Sequence, residues 1–203
     1  APPAPEPGSA EAHAYLGSAL ASQAKWDQAI VQFEAALART PENAELHDWL
    51  GVALREKGRP EEALPHFREA VRLDPRLAVA QVNLARALKQ QGKVEEAEQA
   101  YRRALLARPD LAAAHNGLGS LLGAQGRTAE AVRHFRAAVK SEPGNAEAQN
   151  NLGLALRMTG GRDEALAHFR AALDARPDWA APMSEMAWIL ATHPSARVRN
   201  PAE

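Results

Sequence analysis

Five prolines stand 34 residues apart, at Pro41, Pro75, Pro109, Pro143 and Pro177, and an aromatic ring precedes each by eight residues: Phe33, Phe67, Tyr101, Phe135 and Phe169. A period of this length restricts the chain to a solenoid of stacked supersecondary units, because one such unit cannot bury its own apolar face. Aromatics make up only 5% of the residues while alanine and leucine abound, which suits helix packed on helix better than sheet. The fold class that follows is all-α.

Numbered 1 to 34 from Ala10, Ala44, Ala78, Ala112 and Ala146, the units cover 10–43, 44–77, 78–111, 112–145 and 146–179. A Pro/Ala-rich linker at 1–9 precedes them, and an incomplete sixth unit at 180–203 follows. Position 7 is Leu16, Leu50, Leu84, Leu118 and Leu152, and position 11 is Leu20, Leu54, Leu88, Leu122 and Leu156. The four-residue step puts both on one helix face. Position 8 is Gly17, Gly51, Ala85, Gly119 and Gly153, where a missing side chain lets a neighbour approach closely. Gly58, Gly92, Gly126 and Gly160 at position 15 break the unit into two helices, and Ala24 at that position predicts a tighter or less regular first turn. The second helix carries alanine at positions 20 and 27 around the ring at 24, and the proline at 32 stops it. Ser9, Asn43, Asp110 and Asn145 are expected to cap first helices.

This pattern resembles the tetratricopeptide repeat, a 34-residue helix-turn-helix unit with a small residue at 8, alanine at 20 and 27, a ring at 24 and proline at 32. The resemblance covers residues 10 to about 193. One departure recurs, since the family's frequent tryptophan at position 4 is here His13, His47, Gln81, His115 and Gln149. The resemblance implies a right-handed superhelical solenoid of stacked hairpins, with the first helices lining a concave groove that binds partner proteins. The segment Trp188 to Pro194 resembles the C-terminal unit of many bacterial members, in which a further helix follows. The chain therefore reads as a piece of a longer protein, with an apolar face near Trp188 and Ile189 expected to be exposed and to invite self-association.

Positions 2, 5, 9, 12 and 13 of each first helix form a stripe turned away from the core face, and this stripe is the expected site. Arg55, Arg86, Lys89 and Arg157 place cations along it, with acids at the early positions, so an extended peptide with an acidic side chain or a free carboxylate would fit. Asn116 and Asn150 lie on the same stripe. At neighbouring position 6, Asn83 and Asn151 resemble two rungs of the asparagine ladder in the tetratricopeptide superhelix of O-linked sugar transferases, which implies contact with a peptide backbone. Trp49, also at position 6, is read either as an anchor for a partner side chain or as cover for the adjoining hairpin. The carboxylate clamp of chaperone-binding members is absent, since its positions hold Ala14, Ser18, Trp49, Val79 and Asn83.

Other functions are disfavoured. Twenty-four Lys plus Arg against 25 Asp plus Glu leave no electrostatic footprint for nucleic acid or an anionic membrane. The absence of cysteine removes thiol catalysis and Cys-ligated zinc, and no apolar run or leader pattern marks a membrane span or signal peptide. Six of seven histidines fall at positions 4 and 23; equivalent sites in stacked units are on the order of 10 Å apart, too far to share a metal. Gly117 to Gly123 lacks the preceding strand a phosphate loop needs. The reading is a noncatalytic interaction scaffold without cofactor or metal, in cytoplasm or periplasm. Its alternatives are the substrate-recognition arm of a larger enzyme such as a glycosyltransferase, and a self-assembling scaffold.

Overall fold

The computed structural model describes Glu6 and residues 8–192. These residues divide into two compact units, with the boundary between Pro109 and Asp110. The first holds α1 (Ala10–Ser22), α2 (Trp26–Leu37), α3 (Ala44–Glu56), α4 (Pro60–Leu73), α5 (Ala78–Gln90) and α6 (Val94–Ala107). The second holds α7 (Ala112–Ala124), α8 (Thr128–Ser141), α9 (Ala146–Met158), α10 (Arg162–Ala175) and α11 (Ala180–Thr192). No strand occurs among the described residues, and none of their helices is long and apolar enough to cross a membrane.

Each hairpin turns on a left-handed residue. Gly58, Gly92, Gly126 and Gly160 have φ between +73° and +89°, and the next N–H closes the turn onto a position-11 carbonyl, as Arg59 does to Leu54 at 2.9 Å. Ala24 adopts the same conformation, with φ +55°, and Lys25 donates to Leu20 at 3.0 Å. The expected irregular turn is therefore absent: tertiary packing holds the first hairpin in the common geometry and strains an alanine to do so.

Three of the four expected caps form. Ser9, Asn43 and Asn145 accept the N–H of Ala12, Leu46 and Ala148 at 3.0–3.1 Å. Asp110 does not cap α7; that role falls to Leu111, one residue on, whose side chain makes no capping bond. The period explains the miss, because the cap position is 34 and Asp110 stands at 33.

Inside each hairpin the position-24 ring lies on the position-8 residue. A Cβ built on Gly51 would stand 2.7 Å from the Phe67 ring, and one on Gly153 would stand 2.7 Å from Phe169. Both rings are fully buried, flanked by alanines at positions 20 and 27 that are at most 1% exposed. Leu50, Leu84, Leu118 and Leu152 are buried, whereas Leu16 is 48% exposed because no described hairpin covers that side of α1. Within the first unit, α1 touches α3 and α3 touches α5, while no pair of second helices packs as closely. First helices therefore crowd the inner side of that unit, and α7 with α9 repeats the relationship in the second.

Candidate functional site

The position-4 side chains, where the family often has tryptophan, form polar tethers. Gln149 donates through Nε2 to the carbonyl of Pro143 at 2.8 Å, and its Oε1 accepts from His168 Nδ1 at 2.7 Å. His47 does the same with a ring: Nε2 meets the carbonyl of Pro41 at 3.0 Å, and Nδ1 meets His66 Nδ1 at 3.0 Å. A carbonyl only accepts, so the proton of neutral His47 sits on Nε2 and His66 must supply the shared Nδ1 proton. Burial, followed by the His47 charge, pushes the His66 pKa below the ordinary imidazole value, against a raising effect from Glu62. Positions 4 and 23 of one hairpin are thus in contact, a pairing that unit-to-unit spacing conceals. Among the described residues no group of three or more His, Asp or Glu converges as a metal set would.

The first-helix face is knitted by a second recurring contact. Asn83 at position 6 of α5 donates to Asp48 Oδ1 at position 5 of α3, at 2.8 Å. In the second unit, Asn151 of α9 donates to Asn116 Oδ1 of α7 at 3.0 Å, and Asn116 in turn donates to Glu147 at 3.0 Å. Position 5 is consequently seam rather than open stripe: Asp48, Asn116 and Asn150 are buried beneath the neighbouring hairpin. Asn83 is buried as well. Burial raises the Asp48 pKa, while the bond from Asn83 and then the Arg55 charge pull it down. Asn150 Oδ1 has no donor, since position 6 of α11 is Glu185.

Position 12 reaches position 6 of the next hairpin. Arg55 donates to Asn83 Oδ1 at 3.3 Å and to Glu56 at 2.9 Å, and its guanidinium lies 5.9 Å from the Phe67 ring centre. Arg157 Nε lies 2.8 Å from Glu185, with its N–H not aimed at the oxygen, so the contact is an ion pair and not a directed hydrogen bond. The same guanidinium sits 5.3 Å from the Trp188 ring centre. These two cations are half-buried in the scaffold's own seams. Trp188 is exposed on α11, as expected, but Ile189 is fully buried there.

The remaining candidates are open. Arg86 of α5 is exposed and makes no hydrogen bond or ion pair among the described residues, and Lys89, one turn on, is exposed beside it. Trp49 is 38% exposed, with its ring centre 6.0 Å from that of Phe33, so it covers the hairpin and also presents a face to solvent. Between α1 and α3, a cleft of about 350 Å³ is lined by Glu11, Ala14, Tyr15, Ser18, Glu45 and Trp49, among others. Charge and helical spacing put Arg86 and Lys89 on an outward face of α5, and both are exposed there. The cleft needed the packing of two helices to become visible.

Two family models described as tetratricopeptide repeat match the chain, one over residues 16–78 and 118–180, more than half of it, and the other over residues 54–121. No curated protein sequence matches. Among solved structures, the MamA protein is 26% identical, with 84% of this chain and 93% of that one covered at a TM-score of 0.66. YrrB, described as a TPR protein with an unusual peptide-binding site, is 23% identical over 86% and 90% at 0.65. Pseudomonas aeruginosa pilF is 18% identical over 95% of each chain at 0.74. At these last two identities the likeness shows the fold alone.

Proposed function

We propose that this chain, a protein-interaction scaffold that belongs to the tetratricopeptide repeat family, is noncatalytic and binds an extended segment of a partner protein across its first-helix face. The observation that carries the reading is Arg86, an exposed cation with no in-chain partner among the described residues, on a face where Arg55 is already committed to Glu56 and Asn83. Lys89 adds a second exposed positive charge one turn away. A carboxylate, from an acidic side chain or a chain terminus, is the complementary group, and guanidinium binds it in a bidentate fork.

The roles divide by accessibility. Trp49, Arg86 and Lys89 meet the ligand. Asn83 and Arg55 in the first unit, and Asn116, Asn150, Asn151 and Arg157 in the second, hold the first helices of their own unit in place from within the seams, so their loss acts on the scaffold before it acts on the ligand. A peptide array probed with wild type and with Arg86→Glu plus Lys89→Glu tests the reading. Acidic or carboxylate-terminated peptides should bind the wild type and be lost in the double variant. Unchanged binding would remove the basic site.

A further inference from the structure

We infer that the cleft between α1 and α3 is a pocket for an arginine side chain of the partner segment, an assignment that rests on the peptide-binding reading above. Two seams of the same repeat differ at one set of positions. Between α7 and α9, position 5 is Asn116, which donates to Glu147 at position 2 of the next hairpin and accepts from Asn151 at position 6. At these three positions the seam satisfies its own carboxylate with its own donor.

Between α1 and α3 the same three positions are Ala14, Glu45 and Trp49. Ala14 has no side-chain donor and leaves room, and the cleft of about 350 Å³ stands there. Glu45 is exposed and has no hydrogen bond or ion pair among the described residues, and the same is true of Glu11 on the facing helix. Tyr15 and Trp49, 68% and 38% exposed, supply aromatic walls. The cleft therefore lacks a positive, planar donor and offers two carboxylates with two ring faces to receive one. A guanidinium is that group: it forks onto a carboxylate and stacks on an aromatic ring, whereas an ammonium does only the first as a point charge.

The pocket also orients the ligand. Stacked hairpins are on the order of 10 Å apart, and extended chain advances about 3.3 Å per residue, so each hairpin spans about three ligand residues. An arginine in the α1–α3 cleft and a carboxylate at Arg86 on α5 are then about three to six residues apart in the ligand.

The test uses the full chain and three capped pentapeptides, Gly-Gly-Xaa-Gly-Gly, in which the central residue is arginine, its neutral isostere citrulline, or lysine. The readout is the indole N–H resonance of Trp49, assigned with Trp49→Phe. The arginine peptide should shift it saturably, with citrulline about tenfold weaker, and lysine weaker than arginine. Glu45→Gln should weaken the arginine peptide by about tenfold, and Ala14→Asn, which supplies the in-chain donor found in the α7–α9 seam, should abolish the shift while the protein stays folded by circular dichroism. Lys140→Gln, an exposed change on α8 of the second unit, should leave it unchanged. Absence of a saturable shift, or equal binding of citrulline or of lysine, overturns the assignment. If acidic peptides still bind in an Arg86-dependent way, only the pocket falls; if neither probe binds, the peptide-binding reading falls with it.

Discussion

His168 donates through Nδ1 to Gln149 Oε1 at 2.7 Å, and the third hairpin lacks this bond because Ala100 stands nineteen residues after Gln81. Gln81 keeps the other half of the tether, donating to Pro75 at 3.2 Å, but its Oε1 is buried with no partner and the residue is 1% exposed. An unsatisfied buried acceptor costs about 1–3 kcal/mol. Ala100→His should supply the donor and stabilise the protein by about 1 kcal/mol, read as a raised denaturation midpoint at constant m. A lowered midpoint would show that the third hairpin has no room for the ring.

The glycine-ring contact sets a second expectation. A helix-interior Gly→Ala exchange ordinarily gains about 1 kcal/mol, but a Cβ at Gly153 would meet the Phe169 ring at 2.7 Å, well inside contact distance. Gly153→Ala should therefore destabilise by about 1–3 kcal/mol, the usual cost of overpacking a core. Thermal unfolding decides it. The third hairpin carries Ala85 at this position, with Tyr101 as its ring.

Ala24 predicts the opposite sign. Its left-handed backbone costs roughly 1–2 kcal/mol, and glycine recovers this less the entropy it adds to the unfolded chain. Ala24→Gly should raise stability by about 0.5–1 kcal/mol. A neutral or negative change would place the strain elsewhere.

The histidine tethers make stability depend on pH. His66 and His168 both have pKa values lowered in the folded state, chiefly by burial, so the unfolded chain binds more protons between the folded value and the ordinary one. Their stabilising contribution is whole above about pH 6.5 and is lost as pH falls through the folded value. The His47–His66 pair sharpens this, since a second proton puts two Nδ1–H groups face to face across 3.0 Å. Stability measured by urea at pH 7.5 and 5.5 should fall with acid, and His66→Gln, which copies the Gln32 partner of His13, should flatten the slope. An unchanged slope would assign the acid sensitivity to other groups.

The ring at 24, the alanines at 20 and 27 and the proline at 32 act within one hairpin, so a single period reveals them. Contacts between hairpins needed coordinates. Asn83 and Asp48 are 35 residues apart, and position 5 looks open on a lone helix yet is buried once the next hairpin's position 6 lies across it. For the same reason Asn83 and Arg55, read from the sequence as ligand contacts, are found bonded to each other. The exposure of Arg86 was legible from helical arithmetic, because exposure on a single helix depends least on neighbours.

The most direct measurement is amide chemical-shift mapping of the full chain with an acidic peptide retained by the wild type and lost by the Arg86→Glu plus Lys89→Glu variant. Perturbations should centre on α3 and α5, at Trp49, Arg86 and Lys89, with α4 and α6 little changed. Perturbations centred on α2, α4 and α6 would contradict it and put the partner on the second helices.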